Sequence, residues 1–190
     1  MPRTYTLKRR AERQQQTRQR IVEAAIALHG TVGPARTSIQ GIAERAGVQR
    51  HTVYAYFPDE QALLQACSAH FRRTNPLPDP TRLAEVVDPE ARLRLALTLA
   101  YDYYAQHEAL MANVLRDAQI MSVGKGFLDH HAALTEVVAR AWSTEGEDVA
   151  RVRPAISLAL SFWTWRHLAR AEQLTVDEAI ELMARFVCAA

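Results

Sequence analysis

Two cysteines, seven glycines and eight prolines in 190 residues leave little from which to build a disulfide framework, a cysteine metal site or a glycine-rich phosphate loop. Cys67 and Cys188 stand alone, in no metal or redox spacing, and read as reduced thiols. The terminal Cys188-Ala189-Ala190 is one residue short of a prenylation signal. No window approaches the roughly 18 uninterrupted apolar residues of a membrane-spanning helix, and no apolar run follows the basic N-terminus to make a signal peptide. A cytoplasmic protein without membrane attachment is expected. The seven histidines form no HExxH or ExxH pattern, and no Gly-x-Ser-x-Gly elbow is present. His130 and His131 are neighbours that project about 100° apart on a helix, so they do not converge on one ion. These absences argue against catalysis, and neither a metal nor a cofactor is expected.

What the chain does have is apolar content and helical period. With 48% apolar residues it can bury one sizeable core or two small ones. Charge is distributed unevenly: residues 1–75 carry 12 Lys+Arg against 5 Asp+Glu, a net of +7, whereas residues 76–190 carry 11 against 16, a net of −5. A basic N-terminal third fits a segment that meets a polyanion. No segment alternates as a strand does, so an all-α protein is expected. After a basic stretch holding Arg3, Lys8, Arg9, Arg10 and Arg13, a first helix is read from about Thr17 to His29, stopped by Gly30 and Gly33. Thr37 and Gln40 have the spacing of a capping box for a second helix, which Gly47 ends. A third helix starts near Gln49 and a fourth after Pro58-Asp59. Four prolines between 76 and 89 mark the one linker. Beyond it, helices are read from Asp88-Pro89, through "EALMANVLRDAQIM", from Phe127 to Trp142, from Val149 to about Arg170, and from a capping box at Thr175 and Glu178.

The stretch "AERAGVQRHTVYAYF", residues 43–57, has the form of a helix-turn-helix. Ala43, Ala46 and Gly47 are small enough for two helices to cross closely, and Val48, Val53 and Phe57 are spaced to anchor the second inward. Gln49, Arg50, His51, Thr52, Tyr54 and Tyr56 are left for the outer face. Arg50 can present two donors to guanine, Gln49 can pair with adenine, and Thr52 can offer its methyl to thymine or its hydroxyl to phosphate.

Thr37, Ile42-Ala43, Ala46-Gly47-Val48, Thr52, Tyr54, Phe57 and Leu63-Leu64 together resemble the DNA-binding domain of the TetR (tetracycline repressor) family, over about residues 17–73. The resemblance implies an N-terminal three-helix DNA-binding domain and a C-terminal helical bundle for ligand binding and dimerisation. Residues 1–16 form a basic arm, 17–73 the DNA-binding domain and 74–190 the effector-binding and dimerisation domain. It also implies that Thr37, Tyr54 and Tyr56 hold phosphates while Gln49, Arg50, His51 and Thr52 face the groove. Arg9 and Arg10, in the arm, are placed to lie along phosphates or in a minor groove.

Three positions depart from the family's pattern. Glu60 stands where a lysine is usual and would repel a phosphate, Gln49 replaces a serine that would cap its helix, and Gly41 replaces an acidic residue. For the C-terminal part, the resemblance implies a homodimer through the last two helices and a small-molecule effector enclosed by the helices before them. The candidate effector contacts are Tyr101, Tyr104, Met111, Arg116, Phe127, His131, Phe162 and Trp163. Each aromatic among them also suits core packing, and Arg116 also suits a pair with a nearby carboxylate. The function implied is a ligand-released repressor acting on a pseudopalindromic operator in double-stranded DNA. Two alternatives are a DNA-binding regulator controlled by a protein partner, and a helical-bundle enzyme with a DNA-binding appendage.

Overall fold

The computed structural model describes residues 3–142 and 148–190, with side chains over 8–142 and 152–190; the side chain of Arg3 lies outside the described residues. Among the described residues the chain is helical and contains no strand. The α-helices are α1 (Arg3–Thr31), α2 (Ile39–Ala46), α3 (Arg50–Tyr56), α4 (Glu60–Thr74), α5 (Pro80–Ala84), α6 (Pro89–Asp117), α7 (Lys125–Ala139), α8 (Asp148–Ala159), α9 (Phe162–Arg170) and α10 (Val176–Cys188). Short 3-10 turns at Pro34–Arg36 and Arg140–Trp142 complete them.

The chain forms two compact units. The first comprises Met1–Pro76 and Ala109–Gly124; the second comprises Leu77–Glu108 and Lys125–Ala190. Helix α6 contributes to both, and its one non-helical residue, His107 (φ −121°, ψ 18°), immediately precedes the last residue that α6 gives to the second unit.

In the first unit, α1 packs on α2 and α4, and α2 on α3. The core is made by Ile21, Val22, Ala24 and Ala25 of α1, Ile42, Ala43 and Ala46 of α2, Val53 and Phe57 of the α3 region, and Leu63 and Cys67 of α4. The Cys67 thiol is buried against the Val22 carbonyl, and burial pushes it up to about 12, which leaves it an unreactive packing group. Helix α1 begins at Arg3 instead of near Thr17, because the polar stretch before Thr17 contains no proline or glycine after residue 2 to stop it. At its other end α1 runs through Gly30 to Thr31, and the chain turns only at Gly33, whose φ of 94° suits a residue without a Cβ.

The second unit is built on the apolar face of α6, with Leu93, Ala96, Leu97, Ala100, Tyr101 and Tyr104 buried. Also buried in this unit are Leu134 and Val138 of α7, Ile156, Ala159 and Leu160 of the α8 region, Phe162, Trp165 and Leu168 of α9, and Ala179, Ala184 and Val187 of α10. The single helix expected from Val149 to Arg170 is broken at Leu160 and Ser161, and Ser161 caps the new helix by accepting from Trp163 N at 3.2 Å. Tyr101 and Tyr104 donate to the Ala159 and Leu160 carbonyls, each at 2.8 Å, and so satisfy backbone oxygens freed by that break. The proline-rich segment is more than a linker. Leu83 of α5 is fully buried, and Arg92 donates to the Val86, Val137 and Ala84 carbonyls, which fixes this segment to α6 and α7. The capping box at Thr175 and Glu178 forms as the sequence predicts.

Candidate nucleic-acid interface

The interface is assembled on α2, the turn after it, and α3. Helix α2 starts at Ser38, not at Thr37. The Ser38 hydroxyl accepts from Gly41 N at 3.0 Å, while the Gln40 amide turns away to donate to Glu44 at 2.7 Å, so the capping box expected at Thr37 and Gln40 does not form. Thr37 is an extended residue one position earlier, and its hydroxyl donates to the Gly33 carbonyl at 2.7 Å. The same cap puts Gly41 in the first turn of α2, where its N–H serves Ser38.

Gly47 ends α2 in the left-handed conformation (φ 64°, ψ 41°), with its N–H shared between Ala43 and Glu44. The Val48 N–H bonds to Ala43 O at 3.0 Å, which closes the turn. Gln49 then precedes α3 without a side-chain cap, as its replacement of serine predicts. A helix of seven residues is far below the roughly 12–15 that hold together alone in water, so tertiary packing must maintain α3. That packing is Val53, fully buried, with Phe57 at 3% exposure under the Arg18 guanidinium, which lies 5.0 Å from the ring centroid.

With those anchors buried, Gln49, Arg50, His51 and Tyr54 are exposed together on the other side, and Thr52 is half-buried between the two faces. Arg50 and Tyr54, four apart, are already paired: the guanidinium donates to the phenol oxygen at 3.3 Å and lies 5.7 Å from the ring centroid. Tyr56 differs from the expectation. It packs partly against the core cluster beside Val53 and Phe57, because in α3 it falls on the flank of the buried stripe. Arg9 and Arg10 are exposed on α1, which makes the basic arm from Arg3 onward part of that helix. At the start of α4, Asp59 accepts from Ala62 N at 2.7 Å, and Glu60 follows in the first turn, exposed.

Another group of residues bears on this interface, and the sequence reading missed most of it. At the end of α6, within the first unit, the buried Asp117 carboxylate accepts from Ala35 N and from Arg116 Nε, at 2.9 and 2.8 Å. Burial pushes this carboxyl up, but Arg116, the Ala35 amide and Arg36 outweigh it and hold the group below the usual range. The Asn113 amide donates to the His29 and Gly30 carbonyls, and Arg116 donates to Asn113 and to the Val32 carbonyl. Arg116 is therefore engaged in the first unit, while Tyr101, Tyr104, Phe127, His131, Phe162 and Trp163 belong to the second. Met111 is buried in the first unit's share of α6.

Of the residues singled out in the second unit, Tyr104 and Phe162 stack edge to face with centroids 5.5 Å apart, and Tyr101 lies 6.3 Å from Tyr104. Trp165, which the sequence reading passed over as a site residue, completes the cluster 5.8 Å from Tyr104 and 5.6 Å from Phe162. Trp163 points outward at 45% exposure, and His131 is tied to the Ser157 carbonyl at 2.9 Å. No group of three or more metal-binding side chains is found among the described residues.

Two short helices crossing on small residues at a left-handed glycine, the second exposing donors opposite a buried anchor, define a helix-turn-helix of the DNA-binding class. Residues 21–67 match the family model of bacterial regulatory proteins, tetR family. Over these residues the chain resembles that family's DNA-binding domain. It is 33% identical over 97 residues to the HTH-type transcriptional regulator TtgR of Pseudomonas putida, a match covering 50% of this chain and 46% of that protein. The chain thus matches about half the length of this relative. Among solved structures, a TetR-like transcriptional regulator from Rhodococcus sp. RHA1 superposes with a TM-score of 0.66 at 19% identity, covering 90% of this chain and 93% of that one. A tetR-family regulator from Streptomyces coelicolor (TM-score 0.59, 22% identity, 91% and 78% coverage) and PfmR from Thermus thermophilus (0.62, 20%, 88% and 96%) share the fold.

Proposed function

We propose that this protein is a sequence-specific transcriptional repressor that acts in the cytoplasm as a homodimer on a pseudopalindromic DNA operator and is released by a small molecule. The observation that carries the reading is α3, where Gln49, Arg50, His51 and Tyr54 are exposed together on a helix whose inner face is locked by Val53 and Phe57. Arg50 reads a base edge and Tyr54 holds a phosphate, whereas the Thr37 hydroxyl would have to leave the Gly33 carbonyl to donate to one. Arg9 and Arg10 on α1 add salt-dependent attraction. Tyr56 contributes as a core residue whose hydroxyl reaches the DNA backbone. Because Glu60 takes the place of a cation, affinity rests more on Arg50, Tyr54 and the basic part of α1.

The dimer reading is supported by the last two helices, where Trp163, Leu182 and Phe186 expose 45%, 45% and 43% of their surface. The effector reading is supported by two buried nitrogens in the second unit without a hydrogen-bond partner, His130 Nε2 and Trp165 Nε1. Buried polar groups are rarely left so, and a ligand bearing a hydrogen-bond acceptor among Tyr104, Phe162 and Trp165 would satisfy the indole. Release follows if that ligand binds more tightly to the dimer geometry that mismatches the operator.

The experiment is a gel shift with the DNA flanking the protein's own gene, against a scrambled duplex, across a salt series. The expected result is a salt-sensitive, sequence-preferring shift that Arg50→Ala weakens by about 1–3 kcal/mol with relaxed preference at one base pair of each half-site. Equal binding of both duplexes by the unmutated protein would sink the reading.

A further inference from the structure

We propose that Asp117, with Asn113 and Arg116, is a positioning group for DNA recognition, fixing the strand of backbone that leads from α1 into the helix-turn-helix. The inference rests on the DNA-binding reading above and concerns residues that do not themselves face the groove. Between Thr31 and Ile39 the backbone has only the short 3-10 turn at Pro34–Arg36 to order it. Side chains from the end of α6 grip it along its length. Asn113 holds the carbonyls of residues 29 and 30, Arg116 the carbonyl of Val32, and Asp117 the amide of Ala35. Thr37 closes the series by donating to the Gly33 carbonyl, and Ser38 starts α2 in the next residue.

The grip closes around a residue whose backbone conformation calls for glycine. A Cβ on Gly33 would lie 2.2 Å from Arg116 Nη2 and 2.6 Å from Asp117 Oδ2, and the φ of 94° there independently disfavours a side chain. Asp117 is the centre of the arrangement. Its carboxylate is 4% exposed, joins the Ala35 amide to the guanidinium, and is charge-assisted toward both. Since α2 packs on α3, a shift of the 32–38 backbone moves Thr37, the head of α2 and the recognition helix together.

The test compares Asp117→Asn with the unmutated protein on two labelled duplexes: one selected by the unmutated protein from a random pool, and one of scrambled sequence. Each affinity is corrected for the folded fraction. Asn keeps the shape and removes the charge, so binding to the selected duplex is expected to weaken about tenfold while binding to the scrambled duplex is unchanged. A defect confined to folding would leave both corrected affinities unchanged, and that result, or an equal loss on both duplexes, overturns the proposal. If Asp117→Asn does not fold, Asn113→Ala is read the same way, with about a threefold selective loss expected and an unselective loss or none overturning it. Failure of the unmutated protein to select any duplex would instead overturn the DNA-binding reading, and the positioning role with it.

Discussion

Trp165→Ala is expected to lower the stability of the second unit by about 3–5 kcal/mol, the range for removing a large aromatic side chain from a packed core. The residue is 1% exposed, and it packs on Tyr104 and Phe162 with the Arg170 guanidinium 5.9 Å from its ring centroid. Truncation opens a cavity where α6 meets α9. It also loosens Tyr104, which through Leu160 O helps hold the break between α8 and α9. Trp165→Phe separates packing from polarity. Phe keeps most of the contact area and removes an indole N–H that has no acceptor, so its cost should be well under half that of Ala. Urea unfolding followed by far-UV circular dichroism reads both variants, and equal losses for Ala and Phe would show that packing around the ring is not what stabilises this region.

The second large effect is a dependence on pH that originates at His29. Its ring is 5% exposed, and burial lowers it from 6.5 to about 4, with the Asp117 carboxylate opposing the shift only in part. The folded state therefore favours the neutral ring, while the unfolded chain binds a proton near 6.5. This stabilisation is complete above the unfolded value and is lost as pH falls from about 6.5 toward 4, amounting in full to about 3 kcal/mol. Asp117 has the opposite character: its lowered carboxyl contributes above the unfolded carboxylate range and is lost only in more acid solution. Between pH 7.5 and 5 the histidine thus acts alone of the two. The unmutated protein should lose about 2 kcal/mol more than His29→Gln across that interval, measured from urea midpoints at constant slope. Parallel losses in the two proteins would remove His29 as the cause.

Much of the fold was legible because local chemistry and tertiary structure agree. Gly47, Asp59, Asp88 and the Thr175–Glu178 pair each sit where a cap or stop signal implies, and the stripe of Ile42, Ala43 and Ala46 is buried as spaced. The outward set Gln49, Arg50, His51 and Tyr54 was equally readable, since two buried anchors in so short a helix leave few choices for the other positions. The failures came where a distant segment decides. Ser38 takes the cap in place of Thr37 because Thr37 is drawn to the Gly33 carbonyl, on a turn that α6 holds from far along the chain. Sequence spacing carries no trace of an 82-residue separation, although an Arg-Asp pair in an apolar helix and a glycine before Pro34 were its two visible ends. The half-burial of Tyr56 was not legible, because its flank position in α3 is decided by how deeply the core packs beneath it.

The division of α3 into anchors and an outer face has a consequence for how such a protein diverges. The residues that hold the helix, Val53 and Phe57, share no atoms with those turned outward, and Gln49 supplies no cap whose loss would be felt. Gln49, Arg50 and His51 are then free to be exchanged at almost no folding cost, apart from the Arg50–Tyr54 contact. A lineage can change what this surface contacts by a few substitutions while its scaffold stays untouched, and selection on target choice is separated from selection on stability.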